Sequence, residues 1–98
     1  MPKIARKDDQ NTTGGKLMES GCAKTVFANF LPVAQLNCPI TAHAPWDKKS
    51  HPPHKEAIAK VNEPSPTVYA EFKQVVRVTS TNTCGHTVKD NDATVYVP

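Results

Sequence analysis

Short runs in which β-branched or aromatic residues alternate with polar ones punctuate the chain, which is the signature of strands rather than helices. One such string occurs three times, as Thr25-Val26-Phe27-Ala28, Thr67-Val68-Tyr69-Ala70 and Thr94-Val95-Tyr96-Val97. The first two copies continue alike, Asn29-Phe30-Leu31-Pro32-Val33-Ala34-Gln35-Leu36 against Glu71-Phe72-Lys73-Gln74-Val75-Val76-Arg77-Val78. A shorter form of that second half opens the chain at Lys3-Ile4-Ala5-Arg6-Lys7-Asp8. Each copy therefore predicts a strand, a tight turn and another strand, with the third copy split between the two ends of the chain. Gly14-Gly15, Glu19-Ser20-Gly21, Asn62-Glu63-Pro64-Ser65-Pro66 and Asp90-Asn91-Asp92 supply turn residues between the runs. The stretch His54–Lys60 has helical propensity, but Ile58, Val61 and its place before a repeat favour a strand. The apolar members of the repeated strings, Val26, Val68 and Val95 or their aromatic neighbours, are the expected core layers.

Composition narrows the picture. Ninety-eight residues make one domain, of which 38% are hydrophobic. A domain of this size buries only about 60–65% of its unfolded surface, so its core is thin and a further source of stability is expected. Nine prolines argue against a helical protein. No run approaches the ~18–20 apolar residues of a membrane-crossing helix. The opening Met1-Pro2-Lys3-Ile4-Ala5-Arg6-Lys7-Asp8-Asp9 turns charged where a signal peptide becomes apolar, so no secretory signal is expected. The net charge of +3 is scattered, whereas a nucleic-acid binder gathers its basic residues on one face. No nucleic-acid partner and no small-molecule substrate are expected.

The candidate chemistry lies in histidine and cysteine. His43, His51 and His54 fall in one proline-rich, loop-like stretch, and His86 follows Cys84-Gly85. Thiolate and imidazole together suit Zn²⁺, which takes four tetrahedral ligands and contributes folding energy in small domains. The spacing matches no zinc finger, and solvated loop histidines are the plain alternative. Three cysteines without a secretion signal read poorly as a disulfide framework. Cys22, between Gly21 and Ala23, reads as a small buried apolar residue; Cys38 fits either role; Cys84, before a glycine and near His86, is the best ligand candidate. A nucleophilic cysteine needs an orienting group and a pocket, for which a small β domain has little room, so no enzyme is expected.

Repeat and cluster together resemble the PAAR-repeat proteins, which tip the spikes of contractile injection machines. Lys3-Ile4-Ala5-Arg6-Lys7-Asp8-Asp9 is similar to the family's Pro-Ala-Ala-Arg-x-Gly-Asp opening, and Gln10-Asn11-Thr12-Thr13-Gly14-Gly15 to the segment after it. The Thr-Val-Phe/Tyr strings, Leu31-Pro32-Val33-Ala34, Gln74-Val75-Val76-Arg77 and Thr83-Cys84-Gly85 resemble later family segments in the same order. Thr13 stands where the family usually has a metal-binding histidine, so the usual ligand set is altered.

The resemblance implies a mainly β fold: a small cone of folded β-sheet with a pseudo-threefold internal repeat, residues 1–98 forming one spike-tip domain with no effector domain appended. It implies one monomer capping one trimeric β-helical spike, transient contact with a target membrane, and residence at a phage tail tip or in a secreted contractile apparatus after cytoplasmic assembly. It also implies one transition-metal ion, Zn²⁺ first and iron second, held by His43, Cys84 and one or two of His51, His54 and His86. The rivals are a free-standing structural zinc domain that binds a protein or nucleic acid, and a small metal-dependent hydrolase.

Overall fold

The computed structural model describes residues 2–12, 14–41, 60–83 and 85–98. Its named strands are β1 (Cys22–Ala28), β2 (Leu31–Ala34), β3 (Pro64–Ala70) and β4 (Lys73–Val76). A single 3-10 turn at Glu19–Gly21 precedes β1. β1 pairs antiparallel with β2, ending at Ala28↔Leu31, and β3 with β4, ending at Ala70↔Lys73. Each hairpin thus turns through two residues, and both have positive φ: Asn29 at 50° and Phe30 at 70°, Glu71 at 51° and Phe72 at 67°. Two consecutive left-handed residues match the right-handed twist of the flanking strands and close the hairpin tightly.

The third copy is divided between the two ends of the chain, as the repeat predicts. Lys3 pairs antiparallel with Tyr96, Ile4 N–H donates to Val95 O at 2.8 Å, and Val97 N–H donates to Pro2 O at 2.9 Å. Pro2–Ile4 stands in for β2 and β4, and Val95–Val97 for the second half of β1 and β3.

Backbone bonds close the three copies into a ring. Lys7 N–H donates to Pro32 O at 2.9 Å, Leu36 N–H to Gln74 O at 2.8 Å, and Val78 N–H to Lys3 O at 2.8 Å. Each copy hands on to the next and the third returns to the first. The chain then turns at Asp8, Asn37 and Thr79, with φ of 67°, 67° and 73°. At these turns Asp8, Asn37 and Thr79 donate to Leu17 O, Val61 O and Val88 O at 3.0, 2.8 and 2.8 Å. A second ring follows in the opposite sense: Thr12 to Thr87 O, Thr41 to Lys16 O and Thr83 to Lys60 O, at 3.0, 3.0 and 2.8 Å.

These rings set the core. Ile4, Val33 and Val75 form one equivalent set, Ala5, Ala34 and Val76 the next, and Leu17, Val61 and Val88 a third, all buried. They divide into two clusters along the molecule. One lies toward the hairpin tips (Ile4, Ala28, Val33, Ala70, Val75, Val97) and one toward the second ring (Ala5, Leu17, Cys38, Ile40, Val61, Val76, Val88).

The expectation that Val26, Val68 and Val95 or their aromatic neighbours fill the core is overturned. Val26, Phe27, Tyr69, Val95 and Tyr96 are exposed, and Val68 only packs against the first cluster. Both hairpins carry a register shift, between Cys22 and Phe27 and between Pro64 and Tyr69. A bulge breaks the two-residue alternation, so β1 runs through four exposed residues from Lys24 to Phe27. Pro64-Ser65-Pro66, expected as a turn, begins β3 instead; prolines are admitted to such bulged edge positions. The Gly14-Gly15 turn holds, with Asn11 N–H donating to Gly15 O at 2.7 Å. Of His54–Lys60 only Lys60 falls within the described residues, where it pairs with Pro39.

Deleting the buried Leu17 side chain (Leu17→Ala) is expected to cost about 2–5 kcal/mol in chemical denaturation, whereas exposed Val95→Ala stays within about 0.5 kcal/mol. Equal losses from the two would contradict this division between core and surface.

Candidate functional site

The end of the molecule at the hairpin tips is apolar and open to solvent. Phe30 and Phe72, the second residue of each turn, are 97% and 101% exposed. Behind them Phe27, Tyr69 and Tyr96 form an equivalent exposed set, joined by Val26 and Val95. A phenylalanine is a poor choice for a left-handed turn position, which costs roughly 1–2 kcal/mol for an L residue bearing a Cβ. Full exposure gains nothing for the isolated fold. The turn itself calls for glycine or asparagine, so both phenylalanines run against local preference and against burial at once.

The first residue of each turn braces the neighbouring copy. Asn29 donates through Nδ2 to Thr94 Oγ1 at 2.9 Å and accepts Thr94 N–H at 2.9 Å. Glu71 does the corresponding work on Thr25: its carboxylate accepts Lys24 N–H at 3.0 Å, Thr25 N–H at 2.7 Å and the Thr25 hydroxyl. The Thr25 hydroxyl and these two amides hold the Glu71 carboxyl below the usual carboxylate range. Both aromatic tips are therefore fixed to the copy beside them.

Beneath this surface Arg6 is almost wholly buried and links three elements. Its guanidinium pairs with Asp92, lies 3.4 Å from Ala28 O through Nη1, and approaches Asp9 at 3.9 Å. Gln35, at the equivalent position of the second copy, donates to Ala70 O at 2.8 Å. Arg6 lowers the Asp92 carboxyl, while burial pushes that of Asp9 up despite bonds from Asn91 Nδ2 at 2.6 Å and Arg6 N–H at 2.7 Å.

At the opposite end, Thr12, Thr41 and Thr83 close the second ring, and they immediately precede positions 13, 42 and 84. Of the expected metal ligands, His43, His51, His54 and Cys84 lie outside the described residues, as does Thr13. His86 is placed: it is half-buried, its carbonyl accepts Asn82 N–H at 2.8 Å, and it follows Gly85 at φ 91°. Among the described residues no three histidine, cysteine or acidic side chains gather as a metal-holding group. Thr41 and Thr83, which precede the histidine-rich stretch and Cys84 in sequence, belong to one ring with Thr12. Cys22 is buried, as its neighbours predict; Cys38 is fully enclosed in the second core cluster.

The aromatic tips escaped sequence reasoning because both phenylalanines read as members of strand-like strings. The signal was present in the residue after Ala28-Asn29 and Ala70-Glu71, where the repeat preserves phenylalanine at a turn.

A ring of three folded hairpins with one apolar end defines a small pseudo-threefold β domain. The PAAR motif family model matches residues 7–90, and the chain belongs to that family. Membership places it among the spike-tip proteins of contractile injection systems. No curated protein matches it. The family's opening motif acquires a physical reading here: Ala5 is small because it is enclosed beside the ring, Arg6 hooks the next hairpin, the glycine position (Asp8) has φ 67°, and Asp9 accepts Arg6 N–H.

Because the Glu71 carboxyl is held low in the fold, its brace is fully present above the usual value near 4.5 and is lost as pH falls through the lower folded value. Side-chain NMR titration is expected to place Glu71 below 4.5, with amide protection at Lys24 and Thr25 falling in the same range. In Glu71→Gln that acid transition at the two amides should vanish; its persistence would assign the transition to another group.

Proposed function

We propose that the aromatic end of this chain caps the blunt end of a trimeric β-helical spike, one monomer on one trimer, in a contractile tail or type VI secretion apparatus. The observation that carries this reading is the exposed aromatic set repeated around the ring: Phe27, Tyr69 and Tyr96 behind the tips Phe30 and Phe72. A trimeric β-helix ends in three equivalent open edges that need covering. A monomer with three similar faces meets all three without a symmetry mismatch, and its aromatic side chains provide the apolar contact. Two phenylalanines kept exposed in unfavourable backbone positions make sense as residues selected for a partner. The work is mechanical: the cap completes the spike and sharpens it for transient contact with a target membrane. Residence is at a phage tail tip or in the secreted spike of a related apparatus.

The other end holds the ion in this reading. His43, Cys84 and one or two of His51, His54 and His86 would bind a single transition metal, Zn²⁺ before iron. The support is the donor chemistry, thiolate with imidazoles, and the shared ring of Thr41 and Thr83, which precede both ligand segments in sequence. When bound, the metal supplies cross-linking between chain segments distant in sequence, where a thin domain has little core to offer.

Mixing the chain with a trimeric β-helical spike fragment should yield a complex of one monomer per trimer by light scattering. Phe30→Asn with Phe72→Asn should leave the free domain as stable as before or more so, since asparagine tolerates the left-handed turn. The same pair should weaken the complex by at least about 2 kcal/mol, roughly 30-fold in Kd. A double variant that binds as tightly as the parent would sink the assignment of this face.

For the metal, elemental analysis of protein purified without additions should find about one equivalent of zinc or iron, lost together on acidification because thiolate and imidazole take up protons. Full occupancy in both Cys84→Ser and His43→Ala, or no bound transition metal at all, would overturn this ligand assignment while leaving the spike-capping reading to its own test.

A further inference from the structure

Cys22 and Cys38 are two free thiols brought together by the fold, and nothing in the spike-capping reading uses them. Cys22 opens β1, and Cys38 follows the left-handed turn at Asn37, where the chain leaves the first ring. Both sulfurs converge on one acceptor: Cys22 Sγ lies 3.5 Å and Cys38 Sγ 3.4 Å from Met18 O. The approach is tight enough that residue 21 must be glycine. A Cβ on Gly21 would sit 2.7 Å from Cys38 Sγ and 2.6 Å from Cys38 Cα, distances real Cβ atoms do not show.

The two sulfurs differ in access. Cys38 is fully enclosed in the second core cluster. Cys22 is slightly exposed and lines a surface pocket of about 420 Å³, together with Glu19, Lys24, Phe27 and Pro32. That volume suits a small organic molecule, and the Lys24 ammonium with the Glu19 carboxylate favours one carrying both charges.

We propose that this pocket and thiol pair form a redox modification site, in which a small zwitterionic disulfide such as glutathione disulfide reacts at Cys22 and Cys38 resolves the adduct into an internal Cys22–Cys38 disulfide. The Cys22 thiolate attacks one sulfur of the small disulfide, forming a mixed disulfide and releasing one thiol. Cys38 then attacks Cys22 Sγ, and its proton passes to the departing thiolate, which leaves as the second thiol. Two cysteine thiols are oxidised and one disulfide is reduced to two thiols, so atoms and electrons balance. The division of labour agrees with the acidities. The Cys38 side chain pulls the Cys22 thiol down, and that same pairing, reinforced by burial, pushes the Cys38 thiol up. Cys38 therefore keeps its proton until the adduct on Cys22 draws it in. The product ties the start of β1 to the turn that leads toward the other end of the molecule, a staple in a domain with a thin core. This inference does not depend on the metal reading, and it concerns the free chain, because Phe27 belongs both to this pocket and to the face assigned to the spike.

The test is incubation of the folded chain with glutathione disulfide, followed by mass spectrometry and peptide mapping without reduction. The parent should lose the two thiols together, release two equivalents of glutathione and show a Cys22–Cys38 link, with Tm raised by something on the order of 10 °C. Cys38→Ser should stop at a stable glutathione adduct on Cys22, and Cys22→Ser should leave Cys38 unmodified. The proposal is overturned if the parent keeps both thiols under conditions that oxidise the unfolded chain. It is equally overturned if an unresolved adduct accumulates on the parent, if the link joins either residue to Cys84, or if Cys38 is modified as readily without Cys22 as with it.

Discussion

Everything in this fold depends on the closure of one backbone ring. The bonds Lys7–Pro32, Leu36–Gln74 and Val78–Lys3 each join one copy to the next, and the two ends of the chain meet at Lys3 and Tyr96. Individual hairpins of this length are marginal in water. Their stability comes from the ring, which brings Ile4, Val33 and Val75 together on one level and Ala5, Ala34 and Val76 on the next. Such pairings are remote in sequence, so loop-closure entropy is lost before the contacts that offset it are made. The left-handed turns at Asp8, Asn37 and Thr79 follow from the same constraint, since the chain must leave the ring sharply in each copy. At Thr79 that geometry is forced on a β-branched residue, which local preference alone would not put there.

The threefold repeat was legible in the sequence because the strings recur in order, including the copy divided between the chain ends. Burial within the strings was not. Alternation predicts that Val26, Val68 and Val95 or their aromatic neighbours face inward, but the register slips by three residues between Cys22 and Phe27 and again between Pro64 and Tyr69, which breaks the alternation. A bulge leaves little trace in composition. The side-chain braces were equally hidden, since Asn29 reaches Thr94 and Glu71 reaches Thr25 across long stretches of chain. Of the candidate ligands, only His86 has a described position, so the metal rests on residue chemistry and on the shared ring of Thr12, Thr41 and Thr83.

The two ends of the molecule solve different problems with the same threefold frame. Toward the second ring the frame encloses Leu17, Val61 and Val88, and polar groups there are held inward, as where Asn11 Oδ1 accepts Gly15 N–H at 2.8 Å. Toward the hairpin tips the frame turns its aromatic residues outward and spends its polar side chains on bracing. That inversion is the reverse of what a free-standing domain favours, because apolar surface left in water contributes nothing to folding. It becomes favourable only once another surface covers it.

The symmetry is one of backbone rather than of side chains, and the difference carries information. Arg6, Gln35 and Arg77 occupy equivalent places, and Arg6 and Gln35 reach equivalent carbonyls, Ala28 O and Ala70 O; Gln35 is neutral, whereas Arg6 and Arg77 bring charges that Asp92 and Glu63 balance. Asn29 and Glu71 brace equivalent threonines, one as a neutral amide and one as a carboxylate. The backbone has to repeat because ring closure leaves no slack: each copy must present the same donors and acceptors at the same height. Side chains are freer, since an amide and a carboxylate can both accept from a threonine amide. The exposed aromatics repeat nonetheless, as Phe27, Tyr69 and Tyr96 and again as Phe30 and Phe72. Ring closure does not demand their repetition, and core packing does not use it. Their repetition is therefore the part of the symmetry that answers to something outside the chain.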